Sequence, residues 1–224
     1  MLIEGDELYT RVEKNLPANP SHGWTIVLMD RVSRFIWELQ CGEKDIELFK
    51  QTITELGKVI DKTEDITLIT DGERRYGSVL FDICHEVLRN GMPGRPQKAL
   101  RKGVKVRRKN KGSQAHKRGR KRPKYEAPYR EHPETAQTIG NKHIHANHVE
   151  SFNASLRRRN SAYRRKTNTY AKHSHALQRT LDIQWTFHNF VRPHFTTGSV
   201  PAVTLGIIDK GFTVEELLFI KKVA

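Results

Sequence analysis

Between Trp24 and Gln40 the chain reads WTIVLMDRVSRFIWELQ, two runs of β-branched and aromatic residues broken tightly at Val32-Ser33. A strand with one face in water alternates apolar and polar residues, whereas a strand covered on both faces is apolar almost throughout. The runs therefore predict two strands, about Trp24–Arg31 and Arg34–Gln40, the first of them central in a sheet packed on both sides. The next segments supply the packing layers. Ile46, Phe49, Ile53, Leu56 and Ile60 recur at spacings of three or four, which gives a helix over 45–61 with one apolar stripe. Ile66–Thr70 reads as a short buried strand ending in Asp71-Gly72. Val79, Leu80, Ile83, Cys84, Val87 and Leu88 place a second helix over 77–89.

The pattern then changes. From Arg101 to Lys124 there are 13 Lys and Arg and no acid, in a chain whose net charge is +15. Such a stretch buries too little apolar surface to build a core of its own. It predicts a basic insertion or loop over 90–142, with only Val104 and Val106 hinting at a strand. The charge balance favours a polyanionic partner, nucleic acid before membrane, because neutralised phosphates release counterions. No apolar run approaches the roughly 18 residues of a membrane span. Helical spacing returns at Ala146 with Val149, Phe152, Leu156 and Tyr163. It continues over His173–Val191, where Leu177, Leu181, Trp185 and His188 share a line that Pro193 ends. Thr213 and Glu216 stand at capping-box spacing in a helical tail, 209–224. The acidic start, 1–22, reads as a lead-in segment outside the core. Cys41 and Cys84 have neither zinc-site nor redox spacing, so reduced thiols in the cytoplasm are the expectation.

Three acids stand at the ends of elements: Asp30 after the first strand, Asp71 after the later strand, and Glu150 at the start of a basic helix. Sites in open α/β sheets gather at strand ends. Converging carboxylates suit hard divalent cations, here Mg²⁺ or Mn²⁺, which take oxygen ligands and support in-line phosphoryl displacement. The chain shows no phosphate-binding loop and no nucleophilic Ser or Cys motif. Asn153, three residues after Glu150, shares its helix face, and His148 lies two residues before it, so both are candidates for active-site support. The spacing of His143, His145 and His148 lacks a fourth zinc partner.

The series Asp30, Asp71 and Glu150 on this order of elements resembles the DDE core of bacterial insertion-sequence transposases. HVESFNASLRRRNSAYRRKTNTYAK is similar to the glutamate-helix signature of that group, and HNFVRPHFTTGSVPAVTLGI to its downstream segment. The resemblance spans about residues 22–208. It implies a ribonuclease H-like α/β fold with a mixed central sheet flanked by helices. It also implies that Asp30, Asp71 and Glu150 are catalytic metal ligands for Mg²⁺-dependent cleavage and strand transfer on double-stranded DNA. Arg157, seven residues past Glu150 and on the same helix face, matches a basic residue that contacts DNA phosphate near the metals. Arg158 and the basic run Lys105, Arg107, Arg108, Lys109, Lys117, Arg118, Arg120, Lys121 and Arg122 are the further expected DNA contacts. The resemblance also implies a homo-oligomer, since two element ends must be paired, and association with the nucleoid when DNA is bound. A related nuclease, or a basic DNA-binding protein that no longer joins DNA, is the competing reading.

Overall fold

The β-branched and aromatic runs form strands because such side chains pack well on a pleated, half-buried surface. In the computed structural model, which describes residues 1–13, 22–60, 62–63, 65–89, 95–110, 124–136, 139–164 and 168–220, they form β2 (Trp24–Asp30) and β3 (Ile36–Gly42). β2 is central, as its continuous apolar character predicts. Ile26 and Leu28 pack on one face and Val27 and Met29 on the other.

The other neighbour of β2 was not expected to be a strand. The first residues of the expected lead-in belong to the sheet: Leu2–Tyr9 forms β1, antiparallel to β2 and parallel to β4 (Ile66–Thr70), while 14–21 lie outside the described residues. β1 escapes a hydrophobicity reading because Glu4, Asp6 and Glu7 break up its apolar residues. Gly5 at its centre leaves room for close packing, since a Cβ there would stand 3.2 Å from Leu28 and 3.3 Å from the Tyr76 ring.

The described parts of the basic stretch on either side of 111–123 belong to the sheet. Val104–Asn110 forms β7, parallel to β4, and Lys124–Glu126 forms β8, antiparallel to β7. The six-stranded mixed sheet has the order β3-β2-β1-β4-β7-β8. A separate pair joins β5 (His85–Leu88) to β6 (Gln97–Leu100). β5 also corrects the helix expected over 77–89. Helix α2 spans Arg74–Cys84, and the backbone turns extended at His85, so Val87 and Leu88 pair with Lys98 and Gln97 instead of adding a helical turn.

Helices cover both faces. α1 (Ile46–Ile60) and α2 pack on Ile3, Ile26, Leu28 and Leu68. On the other face, α3 (Asn147–Arg159) and α4 (Ser174–Thr186) pack on Leu8, Val27, Met29 and Leu39 through Val149, Leu156, Leu177 and Leu181. Cys84 and Cys41 fall in these separate layers, and both are free thiols.

α4 continues into a π-helical turn, Phe187–Val191, and this end seals the exposed edge of β3. An edge strand presents unpaired N–H and C=O groups. Here Gln178 accepts from the Cys41 N–H (2.8 Å) and donates to the Leu39 carbonyl (3.0 Å). Asn189, fully buried, accepts from the Ile36 N–H and donates to its carbonyl, both at 2.9 Å. The Trp185 indole donates to the same carbonyl at 2.7 Å. The chain closes with α5 (Pro201–Thr204) and α6 (Val214–Phe219), the latter with the predicted capping box of Thr213 and Glu216. No helix among the described residues is long and apolar enough to cross a membrane.

Candidate active site

β1 carries two carboxylates in one alternation phase, Glu4 and Asp6, on the face covered by α3. Glu4 fixes where α3 begins. The N-cap residue, Ala146, has no side chain to satisfy the first helical N–H groups. Glu4, fully buried, does so across the fold: its Oε2 accepts from the N–H groups of His148 (3.0 Å) and Val149 (3.1 Å). A negative charge at a helix N-terminus is favourable in itself. The other oxygen accepts from Arg31 Nε (2.6 Å) and His148 Nδ1 (2.7 Å). The Arg31 guanidinium also donates to the carbonyls of His143 and His145, which tethers the approach to the helix. Burial pushes the Glu4 carboxyl up, but the bonds from His148, Val149 and Arg31 outweigh it and hold it below its ordinary value.

With the helix start pinned, its next turn lies over Asp6. Asn153 Nδ2 donates to Asp6 Oδ2 at 2.8 Å. Glu150, one turn before Asn153, is exposed beside it. Asp71 follows the last residue of β4. Gly5 pairs with Thr70, so the next residues along the parallel ladder are Asp6 and Asp71. Gly72, at φ +108°, turns the chain away immediately afterwards. Asp6 feels the charges of the other two acids. Burial raises the Asp6 carboxyl to about 6, the Glu7 N–H opposes this, the negative charges of Asp71 and Glu150 raise it further, and the Asn153 bond partly offsets them.

Asp71 and Glu150 are therefore brought together, and the third member of the group is Asp6. Asp30 is elsewhere. It pairs with Ile3, three residues back along β1 from Asp6, or about 10 Å at roughly 3.3 Å per residue. It shares its alternation phase with Ile26 and Leu28, on the α1/α2 side. Its carboxylate is occupied: Oδ2 accepts from both the N–H and the Oγ of Ser33, each at 2.7 Å, and so closes the β2–β3 turn. The sequence signal for Asp6 was its phase with Glu4 between Ile3 and Leu8, a strand with one polar stripe. An acid in the middle of a strand, rather than at its end, is what a search of strand termini passes over.

The remaining candidates divide. Asn153 holds Asp6, while His148 is engaged with Glu4. Arg157 is half-buried two turns along from Glu150, and Arg158 is exposed. Lys109 follows Arg108, which pairs with Thr70, so it lies next to Asp71, and the Gly72 turn packs against its carbonyl. Its neighbours in β7 are structural. Lys105, buried, contacts Asp65 (3.0 Å) and the Ala136 carbonyl. Arg107, also buried, pairs with Glu131, and Arg108 pairs with Glu126. A buried cation must be paired to be tolerated, and Lys105 and Arg107 are so paired inside the fold, while Arg108 is half-buried beside its partner. Lys117, Arg118, Arg120, Lys121 and Arg122 lie outside the described residues.

The group fits a hard cation by its chemistry. Asp6, Asp71 and Glu150 offer only oxygen donors, and the buried Asn153 Oδ1 beside them makes no hydrogen bond. Among the described residues, the one set of three acid or imidazole groups with ligand atoms mutually within 4.8 Å is a different one, Glu4, His145 and His148. The guanidinium of Arg31 and the positive end of α3 already neutralise Glu4 there, so that set is a helix anchor and gives no indication of Mg²⁺. No protein-family model matches the chain, and no curated protein matches it.

Proposed function

We propose that the chain is the ribonuclease H-like core of an insertion-sequence DDE transposase, with Asp6, Asp71 and Glu150 as its acidic set. The observation that carries this reading is the convergence of the three carboxylates, from the middle of β1, the end of β4 and the first turn of α3, on one face of a mixed sheet. The sheet with helices on both faces and the glutamate-helix signature support it. These three residues would hold Mg²⁺ or Mn²⁺, which supplies charge neutralisation at a scissile phosphate and activation of the attacking hydroxyl. The chain's own groups do the rest. Asn153 orients Asp6 through its Oδ2. Glu4 and Arg31 set the position of α3 and hence of Glu150. Lys109 and Arg157 flank the acids with positive charge that offsets the repulsion between carboxylate and phosphate. The reaction is cleavage of a DNA strand by water to leave a 3′-hydroxyl, followed by in-line attack of that hydroxyl on target DNA. Two ends handled together call for a homo-oligomer on double-stranded DNA.

Cleavage and joining are measured with Mg²⁺ on duplexes carrying the sequences that flank the gene. Asp6→Asn, Asp71→Asn and Glu150→Gln are each expected to abolish both steps and to retain DNA binding. Asp30→Asn is expected to keep them. Joining by Asp6→Asn together with its loss in Asp30→Asn would overturn the assignment. Cleavage without joining in the unaltered protein would assign a nuclease instead.

A further inference from the structure

Only one flank of α3 is turned toward the acids. At about 100° per residue, Arg159 lies roughly half a turn around the helix from Glu150. On that far flank, between α3 and the segment after the π-helical turn, is a cleft of about 410 Å³. Arg34 from the β2–β3 turn, Arg158 and Arg159 from α3, and Arg192, His194 and Phe195 from the last segment line it, and no carboxylate does. Among the described residues, the guanidinium groups of Arg158, Arg159 and Arg192 have no acidic partner. Burial and the nearby charges of Arg192 and Arg158 press the Arg159 guanidinium below its ordinary value, as expected for cations gathered without a counter-ion. Arg34 is held there in the left-handed region, at φ +65°, with its carbonyl bonded to His188 Nε2 at 2.8 Å. A non-glycine residue in that region is uncommon and persists where its surroundings impose it.

Phe195 stands at the rim, fully exposed (102%). Its loop is not frayed. The His194 N–H donates to the Ser199 carbonyl and the Gly198 N–H to the His194 carbonyl, both at 2.8 Å, so the ring is presented from a closed turn. An exposed aromatic ring on a closed turn beside a row of arginines is the arrangement that takes a base on the ring and phosphates on the cations.

We propose that this cleft binds an unpaired segment of DNA, with its phosphates on Arg158, Arg159 and Arg192 and one base stacked on Phe195. The choice of DNA among polyanions rests on the reading of the acids given above. The choice of an unpaired segment does not, because a base offers its face to a side chain only when it has left the helical stack. An acidic peptide would satisfy the arginines and leave the ring without a partner.

The test measures binding by fluorescence anisotropy in chelator, using the full chain, a labelled single-stranded oligothymidine, a blunt duplex of similar length and a polyglutamate peptide. Phe195→Ala is expected to weaken oligothymidine binding by roughly 5- to 100-fold, with duplex binding and salt dependence unchanged, and Phe195→Trp to restore it. Since Phe195 packs against nothing, the substitution leaves the fold intact. The double variant Arg159→Gln with Arg192→Gln is expected to reduce the salt slope for the single strand by about 1.4, at roughly 0.7 per phosphate contact. Equal effects of Phe195→Ala on single strand and duplex, no effect on either, or polyglutamate binding as tight as the oligonucleotide would overturn the proposal. Asp6→Asn separates the two readings. It should bind oligothymidine like the unaltered protein while losing cleavage. Cleavage retained in Asp6→Asn refutes the acidic set and leaves the cleft standing.

Discussion

Replacing Asp6 by Asn should make the metal-free protein more stable, and the size of the gain follows from the site. Folding buries Asp6 and sets it near Asp71 and Glu150, which lifts its carboxyl from 3.8 to about 6. At about 1.36 kcal/mol per pH unit, that interval corresponds to about 3 kcal/mol against the ionised folded state, and solvent screening of the partly exposed carboxylates reduces it to about 1.5–3 kcal/mol. The sign is fixed by linkage. Between pH 3.8 and 6 the folded state binds the extra proton, so stability falls as pH rises through this window. Asn keeps the acceptor for Asn153 and carries no charge. In chelator at pH 7.5, Asp6→Asn should therefore raise Tm by about 3–12 °C, at roughly 2–4 °C per kcal/mol for a chain of this size. Near pH 3.8 the difference should vanish, because both side chains are then largely neutral. Glu38, pushed up to about 7 by burial and by Glu55, adds a slope of the same sign to both proteins and cancels in the comparison. Saturating Mg²⁺ should raise Tm of the unaltered protein and not of the variant. Asp30→Ala is the control: it removes the acceptor of two Ser33 bonds and should lower stability by about 1–3 kcal/mol with Mg²⁺ sensitivity intact. Thermal unfolding followed by circular dichroism reads all of these. A lower Tm for Asp6→Asn at pH 7.5, or a gain that persists unchanged at pH 3.8, refutes the argument that Asp6 sits in an acidic cluster.

Glu4→Ala strips the buried partner from Arg31 and from the start of α3 and should cost about 3–5 kcal/mol in urea unfolding. Because the Glu4 carboxyl is held low in the folded state, its contribution is present above its unfolded value of 4.5 and lost as pH falls. The acid limb of the stability profile should accordingly flatten in Glu4→Gln. Arg107→Ala should destabilise through the abandoned Glu131 while leaving the salt slope of duplex binding unchanged, whereas a DNA-contacting arginine would lower that slope by about 0.9. Asn189→Ala leaves the Ile36 N–H at the sealed edge without its acceptor. It should cost about 1–3 kcal/mol, with faster hydrogen exchange at that amide as the local readout.

What could be read from the sequence divides along physical lines. β2, β4 and α1 have no rival reading, since a run such as Trp24–Asp30 is apolar on both faces and α1 keeps one stripe. The capping box at Thr213 and the apolar lines of α3 and α4 are local patterns and were equally plain. β1 and β7 were not, for one shared reason. Each places charged side chains on the α3 face of the sheet, where Glu4 meets Arg31 and Arg107 meets Glu131. Those partners are 27 and 24 residues away, and no local pattern announces them. A cation or acid looks solvated until its counter-charge is known, so polar strands such as β1 and β7 read locally as a lead-in and a loop. The site inherits the same blind spot. Asp71 and Glu150 sit at element ends, where a local pattern marks an acid, and Asp6 sits inside a strand that no local pattern marks.

Glu4 and Asp6 show how two like residues, two apart on one strand, acquire opposite chemistry. Both lose water on folding, and for both burial is the largest influence, pushing the carboxyl upward. Glu4 is then met by Arg31, a histidine and two helix N–H groups, so its charge is held and it anchors. Asp6 is met by the Glu7 N–H, the Asn153 amide and two further acids, with no cation among its partners, so its charge is opposed. α3 provides both environments. Its N-terminus needs an anion, which Glu4 supplies, and one turn later it delivers Glu150 and Asn153 to Asp6. The anchor therefore sets the geometry of the acidic group, and a change at Glu4 must reach the site through the helix. Glu4→Gln keeps an acceptor for the N–H groups and weakens the grip on Arg31. It should shift the Mg²⁺ concentration needed to raise Tm, although Glu4 is not one of the three proposed ligands. If that concentration is unchanged in Glu4→Gln, α3 is positioned by its apolar face alone, through Val149 and Leu156.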